Sequence, residues 1–183
     1  ARIRSSADAL ALGVGMVHQH FHLVAGHSVL ENLMAGRTGR GGRLDFAGIR
    51  RRMQEVRDAY GLALPPDVLA GDLTIGEQQR LEIIKALVRG ARVLILDEPT
   101  EGLDPNQRVE IRRLVAELGK ERTVLLCTHV MQEVEATCSR LVILNRGRLV
   151  AQGSVQELMA TRFGRARYVV EAQGEGIPEA LAS

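Results

Sequence analysis

Val93-Leu94-Ile95-Leu96-Asp97-Glu98-Pro99-Thr100 is an apolar run that ends in two adjacent carboxylates. Val93 to Leu96 has the length and composition of a strand buried on both faces, as in a parallel sheet. Asp97 and Glu98 are therefore expected to emerge together at its carboxyl end. Ligands of open α/β sheets bind at that edge. An acid pair there suits phosphate chemistry, with Asp97 fixing Mg²⁺ directly or through water and Glu98 acting on a nucleophilic water. A strand that ends in a solvated acidic turn has the same sequence, so the pair needs support from elsewhere in the chain.

Composition narrows the field. The chain has 183 residues, enough for one domain with a real core but not for two sizeable ones. With 24 basic and 22 acidic side chains the net charge is only +2, and aromatic residues make up 3%, so neither charge nor base stacking argues for nucleic-acid binding. Arg50-Arg51-Arg52 reads as a solvated helix face. Cys127 and Cys138 have no metal-ligand spacing and fit a reducing compartment. No apolar run approaches the ~20 residues of a membrane helix, and Ala1 to Ala11 lacks the apolar centre of a signal peptide. Service to a membrane would have to go through a partner.

Taken in order, Ser5 to Leu12 reads as a short helix and Val14 to Val17 as a strand. His18-Gln19-His20-Phe21-His22 leaves that strand. The alternating histidines could in principle share a metal, but no further ligand cluster supports them. Gln19 is the more telling residue, because a neutral amide at a strand end can ligate Mg²⁺ or orient water. Ser28 and Glu31 form a capping box for a helix through Met34, closed by Gly36. A glycine and arginine loop, Gly36 to Gly42, follows. Asp45 then starts a longer helix with Ile49, Met53, Val56 and Tyr60 on one face and Gly61 as its stop.

Leu73-Thr74-Ile75-Gly76-Glu77 leads into a helix that ends near Gly90, just before the acid-pair strand. Thr74 and Gly76 at a helix amino terminus can serve an anion or simply cap the helix. After the strand, Glu101-Gly102-Leu103-Asp104-Pro105 opens a helix expected over Asn106 to Leu118 with Gly119 as its end. Thr123 to Cys127 is a further apolar strand, and Thr128-His129 follows it at the same edge as Asp97 and Glu98. A helix over Met131 to Cys138, a hairpin turning at Asn145 to Arg148, a helix capped by Ser154 and a short strand, Tyr168 to Glu171, complete the chain.

In this order the pieces resemble the ATP-binding subunit of ABC transporters over almost the full chain. Gln19 sits at the Q-loop position, Leu73 to Glu77 resembles the signature motif, Leu94 to Glu98 the Walker B strand, Glu101 to Asp104 the D-loop, and His129 the switch histidine. The resemblance implies a P-loop NTPase-like α/β core, a mostly parallel sheet with flanking helices, plus a helical subdomain at about residues 28–90. It implies ATP and Mg²⁺ as ligands, with two such domains sandwiching ATP head to tail. On that reading Asp97 and Gln19 hold Mg²⁺, Glu98 polarises the attacking water, and His129 senses the γ-phosphate. Thr74, Gly76, Glu77 and Asp104 are the nucleotide-binding residues, with Thr74 and Gly76 reaching the nucleotide of the opposite subunit. A transmembrane permease is the second implied partner, which puts the chain at the cytoplasmic face of the membrane.

No G-x-x-x-x-G-K-[ST] occurs in the sequence, and Gly36 to Gly42 has neither that spacing nor the lysine. The family places this loop before the Q-loop, so the expectation is an amino-terminally truncated ABC ATPase domain over residues 1–160, with 161–183 as an extension. A degenerate, non-hydrolytic half-site is the alternative. A soluble ABC-type ATPase acting on nucleic acid or ribosomes is a further one, for which zinc-binding cysteine pairs, a long coiled coil or a basic insertion would be expected. Ile75, Glu77 and the segment Gly13 to Asn32 resemble importers of simple sugars and nucleosides, whereas the segment from Glu101 through Arg148 resembles the ATPases of exporters.

Overall fold

The computed structural model describes residues 2–36 and 45–162. The glycine and arginine loop and the strand expected at Tyr168 to Glu171 lie outside or largely outside these residues. The described residues fall into two compact units, one ending at Cys138 and one beginning at Ser139.

The first unit is built on three parallel strands, β1 (Val14–Val17), β2 (Val93–Asp97) and β3 (Thr123–Cys127), with β2 in the middle. Register pairs Val17 with Leu96 and Asp97 with Cys127, so all three strands end at one edge. Helix α1 (Ser6–Ala11) precedes β1, and between β1 and β2 the chain runs through α2 (Val29–Met34), α3 (Phe46–Tyr60) and α4 (Ile75–Val88). Between β2 and β3 it runs through α5 (Pro105–Glu121), and α6 (Met131–Thr137) follows β3. Parallel pairing demands such crossovers.

Val17, Leu94 and Leu96 are fully buried and join Leu81, Ile83, Ile84, Val115 and Leu118 of α4 and α5 in the core. Helix α4 lies close on β1. A side chain at Gly15 would come within 2.9 Å of the Ala91 methyl and 3.2 Å of that of Ala86, so glycine is what lets these elements meet. The opposite face of the sheet differs from the expectation of burial on both sides. Met16 and Leu125 are exposed and Ile95 is only half-buried. A continuous apolar run states a need for cover on both faces, and no described element of the first unit supplies it on this one.

The helix starts follow the expected chemistry. Ser28–Glu31 and Thr74–Glu77 are both complete capping boxes, and Asp45 caps α3, which ends on Gly61 in the left-handed conformation. Helix α5 departs from expectation. It continues through Gly119 to Glu121, where the N–H of Arg122 closes on Leu118 O. One glycine in a helix interior costs only about 1 kcal/mol, and the burial of Leu114, Val115 and Leu118 outweighs it.

The second unit contains the antiparallel hairpin of β4 (Arg140–Asn145) and β5 (Arg148–Ser154) and helix α7 (Val155–Arg162), which packs on β5. Arg146 and Gly147 both have positive φ, as a tight hairpin turn requires. Ser154 and Glu157 cap α7 reciprocally.

Candidate functional site

The carboxyl edge of the sheet gathers the residues that follow each strand. Glu98 follows β2 with φ 44°, a left-handed conformation unusual for a side-chain-bearing residue. Its N–H donates to Cys127 O at 2.9 Å, which extends the β2–β3 pairing by one step and turns the carboxylate toward the segment after β3. There its Oε1 accepts from the His129 N–H at 3.0 Å and from His129 Nδ1 at 2.7 Å. The Glu98 side chain is 18% exposed and that of His129 79%.

This contact raises the His129 pKa above 6.5, first through the hydrogen bond to Glu98, then through the charge of the same carboxylate, with smaller contributions from Glu101 and Glu133. Because an ionised carboxylate only accepts, Nδ1 carries the proton, and Nε2 can donate outward only when the ring is cationic. A raised pKa favours that state. Cys127 is affected in the same neighbourhood: burial pushes its thiol up, and the charges of Asp97 and Glu98 add to the shift.

Gln19 reaches the edge from β1. Its Nε2 donates to Glu101 Oε2 at 2.5 Å, which links the segment after β1 to the turn after β2 and leaves the amide oxygen available. The same segment is fastened further along: the N–H of His22 donates to buried Glu82, and that of Val24 to buried Asn32. The histidine rings do not share a metal geometry. The His18 and His22 rings meet at 4.5 Å with a 45° tilt, and no group of three or more His, Cys, Asp or Glu side chains suited to a metal occurs among the described residues.

Thr74, Gly76, Glu77 and Asp104 form a second group, at the adjoining amino termini of α4 and α5. Thr74 Oγ1 accepts from the Glu77 N–H at 3.3 Å, and Glu77 Oε2 accepts from the N–H and the hydroxyl of Thr74 at 2.9 and 2.8 Å. The Thr74 N–H, and then its hydroxyl, hold the Glu77 carboxyl below its ordinary value. Asp104 caps α5 through the N–H groups of Asn106 and Gln107. Gly76 is the point of closest approach, since a Cβ there would meet the Gln107 side chain at 2.9 Å.

Sequence reasoning alone did not single out Thr100, Thr128 and Glu133. Glu133 is 4% exposed and takes hydroxyls from both Thr100 and Thr128. The one available signal was its position, four residues beyond His129 in a short helix, where an acid more often faces water.

The class defined by this fold and edge is a parallel α/β domain with acid, histidine and amide side chains converging where open sheets bind nucleotides. The chain belongs to the ABC transporter family, whose model matches residues 3–101. It is 38% identical over 170 residues to the nucleoside import ATP-binding protein NupA of Lactococcus lactis, covering 89% of this chain and 34% of that protein. It is also 35% identical over 182 residues to the Nod factor export ATP-binding protein I of Rhizobium meliloti, covering 99% of this chain and 53% of that protein. Among solved structures it matches cbiO1 from Clostridium perfringens, part of the ABC transporter complex cbiONQ, with a TM-score of 0.71 and 30% identity over 87% of this chain and 64% of that one. The chain spans about a third of the length of sugar and nucleoside import relatives such as NupA (34%) and the ribose import ATP-binding protein RbsA of Chromobacterium violaceum (34%).

Proposed function

We propose that this chain supplies the hydrolytic carboxylate and the signature face of an ATP-binding subunit that couples ATP binding and hydrolysis to transport across a membrane. The observation that carries the reading is the Glu98–His129 pair at the end of adjoining parallel strands, in a chain of the ABC transporter family. Glu98 orients and polarises the attacking water, and His129, held by Glu98 through Nδ1, presents Nε2 toward the γ-phosphate. Asp97 at the end of β2 and the free amide oxygen of Gln19 are hard oxygen donors that suit Mg²⁺, an ion commonly held by one or two protein oxygens together with substrate phosphates. When bound, the metal neutralises phosphate charge.

A second copy or a related domain, packed head to tail, brings Thr74 and Gly76 to the nucleotide. A permease is the other partner. The groove bounded by Gln19, Phe21, Leu23, Ile75, Gln78 and Glu101, about 430 Å³, lies beside the Gln19 segment and supports a coupling role for it at the cytoplasmic membrane face. No described helix is long and apolar enough to cross a membrane itself. Both simple-sugar or nucleoside import and ABC-2-type export fit relatives of this kind.

The test is Glu98→Gln in the complete subunit. Turnover is expected to fall by about 10²- to 10⁴-fold, the range of a lost general base, while ATP-dependent pairing of the domains persists. An undiminished turnover number removes Glu98 from this role. The 183-residue chain alone, lacking G-x-x-x-x-G-K-[ST], is expected to hydrolyse Mg-ATP negligibly. The alternative reading is a non-hydrolytic half-site. That reading predicts a complete subunit whose turnover is already negligible before Glu98 is changed.

A further inference from the structure

Thr128 lies between two carboxylates. Its Oγ1 is 3.2 Å from Glu98 Oε2 and 3.2 Å from Glu133 Oε2, and it accepts the N–H of Val130 at 3.1 Å. A threonine hydroxyl has one proton, so it serves one carboxylate at a time. The two claimants are unequal. Glu133 is 4% exposed, and its other oxygen is occupied by the hydroxyl of buried Thr100. Without Thr128, Glu133 Oε2 would be a buried anionic oxygen with no donor, which is costly. Glu98 has the N–H and Nδ1 of His129 on Oε1, and its partial exposure lets Oε2 turn to water.

The geometry points to Glu133 as a positioning residue that holds the Thr128 hydroxyl proton and so keeps Oε2 of Glu98 free of an internal donor. Oε1 of Glu98 is committed to His129, and Oε2 is the oxygen left to meet an incoming water. Glu133 acts through Thr128 and touches no reacting atom. The assignment of the proton stands on the donor count alone. Its mechanistic meaning rests on the reading of Glu98 as the water-polarising carboxylate.

The two are separable by experiment, because the proton assignment can be read without nucleotide, metal or turnover. His129 Nδ1 bonds Glu98, so the NMR titration midpoint of His129 reports how strongly Glu98 is shared with another donor. The measurement uses this chain in metal-free buffer, with His129→Gln to assign the signal. Thr128→Val is expected not to raise the midpoint, because the hydroxyl was not on Glu98 and its loss frees that carboxylate of no donor. In Glu133→Gln the amide oxygen takes Thr100 and the NH₂ group donates to Thr128 Oγ1, which releases the Thr128 proton to Glu98. The midpoint then falls, partly also because the Glu133 charge is gone. Adding Thr128→Val to Glu133→Gln is expected to raise it again, a coupling that loss of charge alone cannot produce. A midpoint raised by Thr128→Val in the otherwise unchanged chain overturns the proposal, as does one left unmoved or lowered when Thr128→Val is added to Glu133→Gln. If Glu133→Gln fails to fold, Thr128→Val by itself still decides. Either result leaves the Glu98→Gln turnover experiment untouched.

Discussion

Glu98 holds a left-handed backbone conformation that costs a non-glycine residue roughly 1–2 kcal/mol. The strain persists because the same turn lets its N–H reach Cys127 O and its carboxylate reach His129. This pair makes stability depend on pH in a definite sense. The His129 pKa in the folded chain lies above 6.5, raised by Glu98, so folding takes up protons on His129. The stabilisation is fully present below the unfolded histidine value and is lost as pH rises through the raised folded value. His129→Gln is therefore expected to lower the melting temperature most below about pH 6.5 and to matter least above the raised folded value. Thermal melts of both proteins across that range check it, and an equal deficit at every pH would show that the pair's charge contributes nothing. Glu98, His129 and Gln19 were legible because each follows an apolar run whose edge position the sequence implies. Thr100, Thr128 and Glu133 were not, since a hydroxyl in a loop and an acid in a seven-residue helix have no sustained period to reveal burial.

At the level of elements, the strands and capped helices were readable because their signals are local. Ser28–Glu31, Thr74–Glu77 and the Gly61 stop each involve residues within one turn. The end of α5 was misread for the opposite reason. Gly119 is a local stop signal that tertiary burial of Leu114, Val115 and Leu118 overrides. The strands show the same limit, because the run Val93 to Leu96 does not reveal that the first unit covers only one face of the sheet. This asymmetry has a measurable consequence. Leu96 is 0% exposed and Leu125 is 52% exposed. Leu96→Ala is expected to destabilise by about 2–5 kcal/mol, as buried leucine truncations do, whereas Leu125→Ala is expected to cost under about 0.5 kcal/mol. Urea unfolding of the two variants measures the difference. Comparable losses would mean that Leu125 is covered in solution, by a second copy or by a segment outside the described residues.

Across the whole first unit, two groups of candidate residues stand apart, one at the sheet edge and one at the amino termini of α4 and α5. Glu98 and His129 bond to one another at the sheet edge, while Thr74 pairs with Glu77, and Asp104 caps α5 beside Gly76. A head-to-tail pair of domains would unite the first group of one copy with the second group of the other, and this connection can be tested by complementation between complete subunits. In a heterodimer of one Glu98→Gln subunit and one Thr74→Ala subunit, both defects fall in the same shared site, so the other site is intact and turnover survives. When both substitutions are placed in one subunit opposite an unaltered one, each shared site carries one defect and turnover is lost. If each chain instead built its own site, the outcomes would reverse. Thr74→Ala also removes the α4 cap, at about 1 kcal/mol, and this cost is present in both arrangements, so the comparison between them isolates the geometry of sharing. The steady-state ATPase rate of the two heterodimers, purified through different tags on their subunits, decides between a shared and a self-contained site.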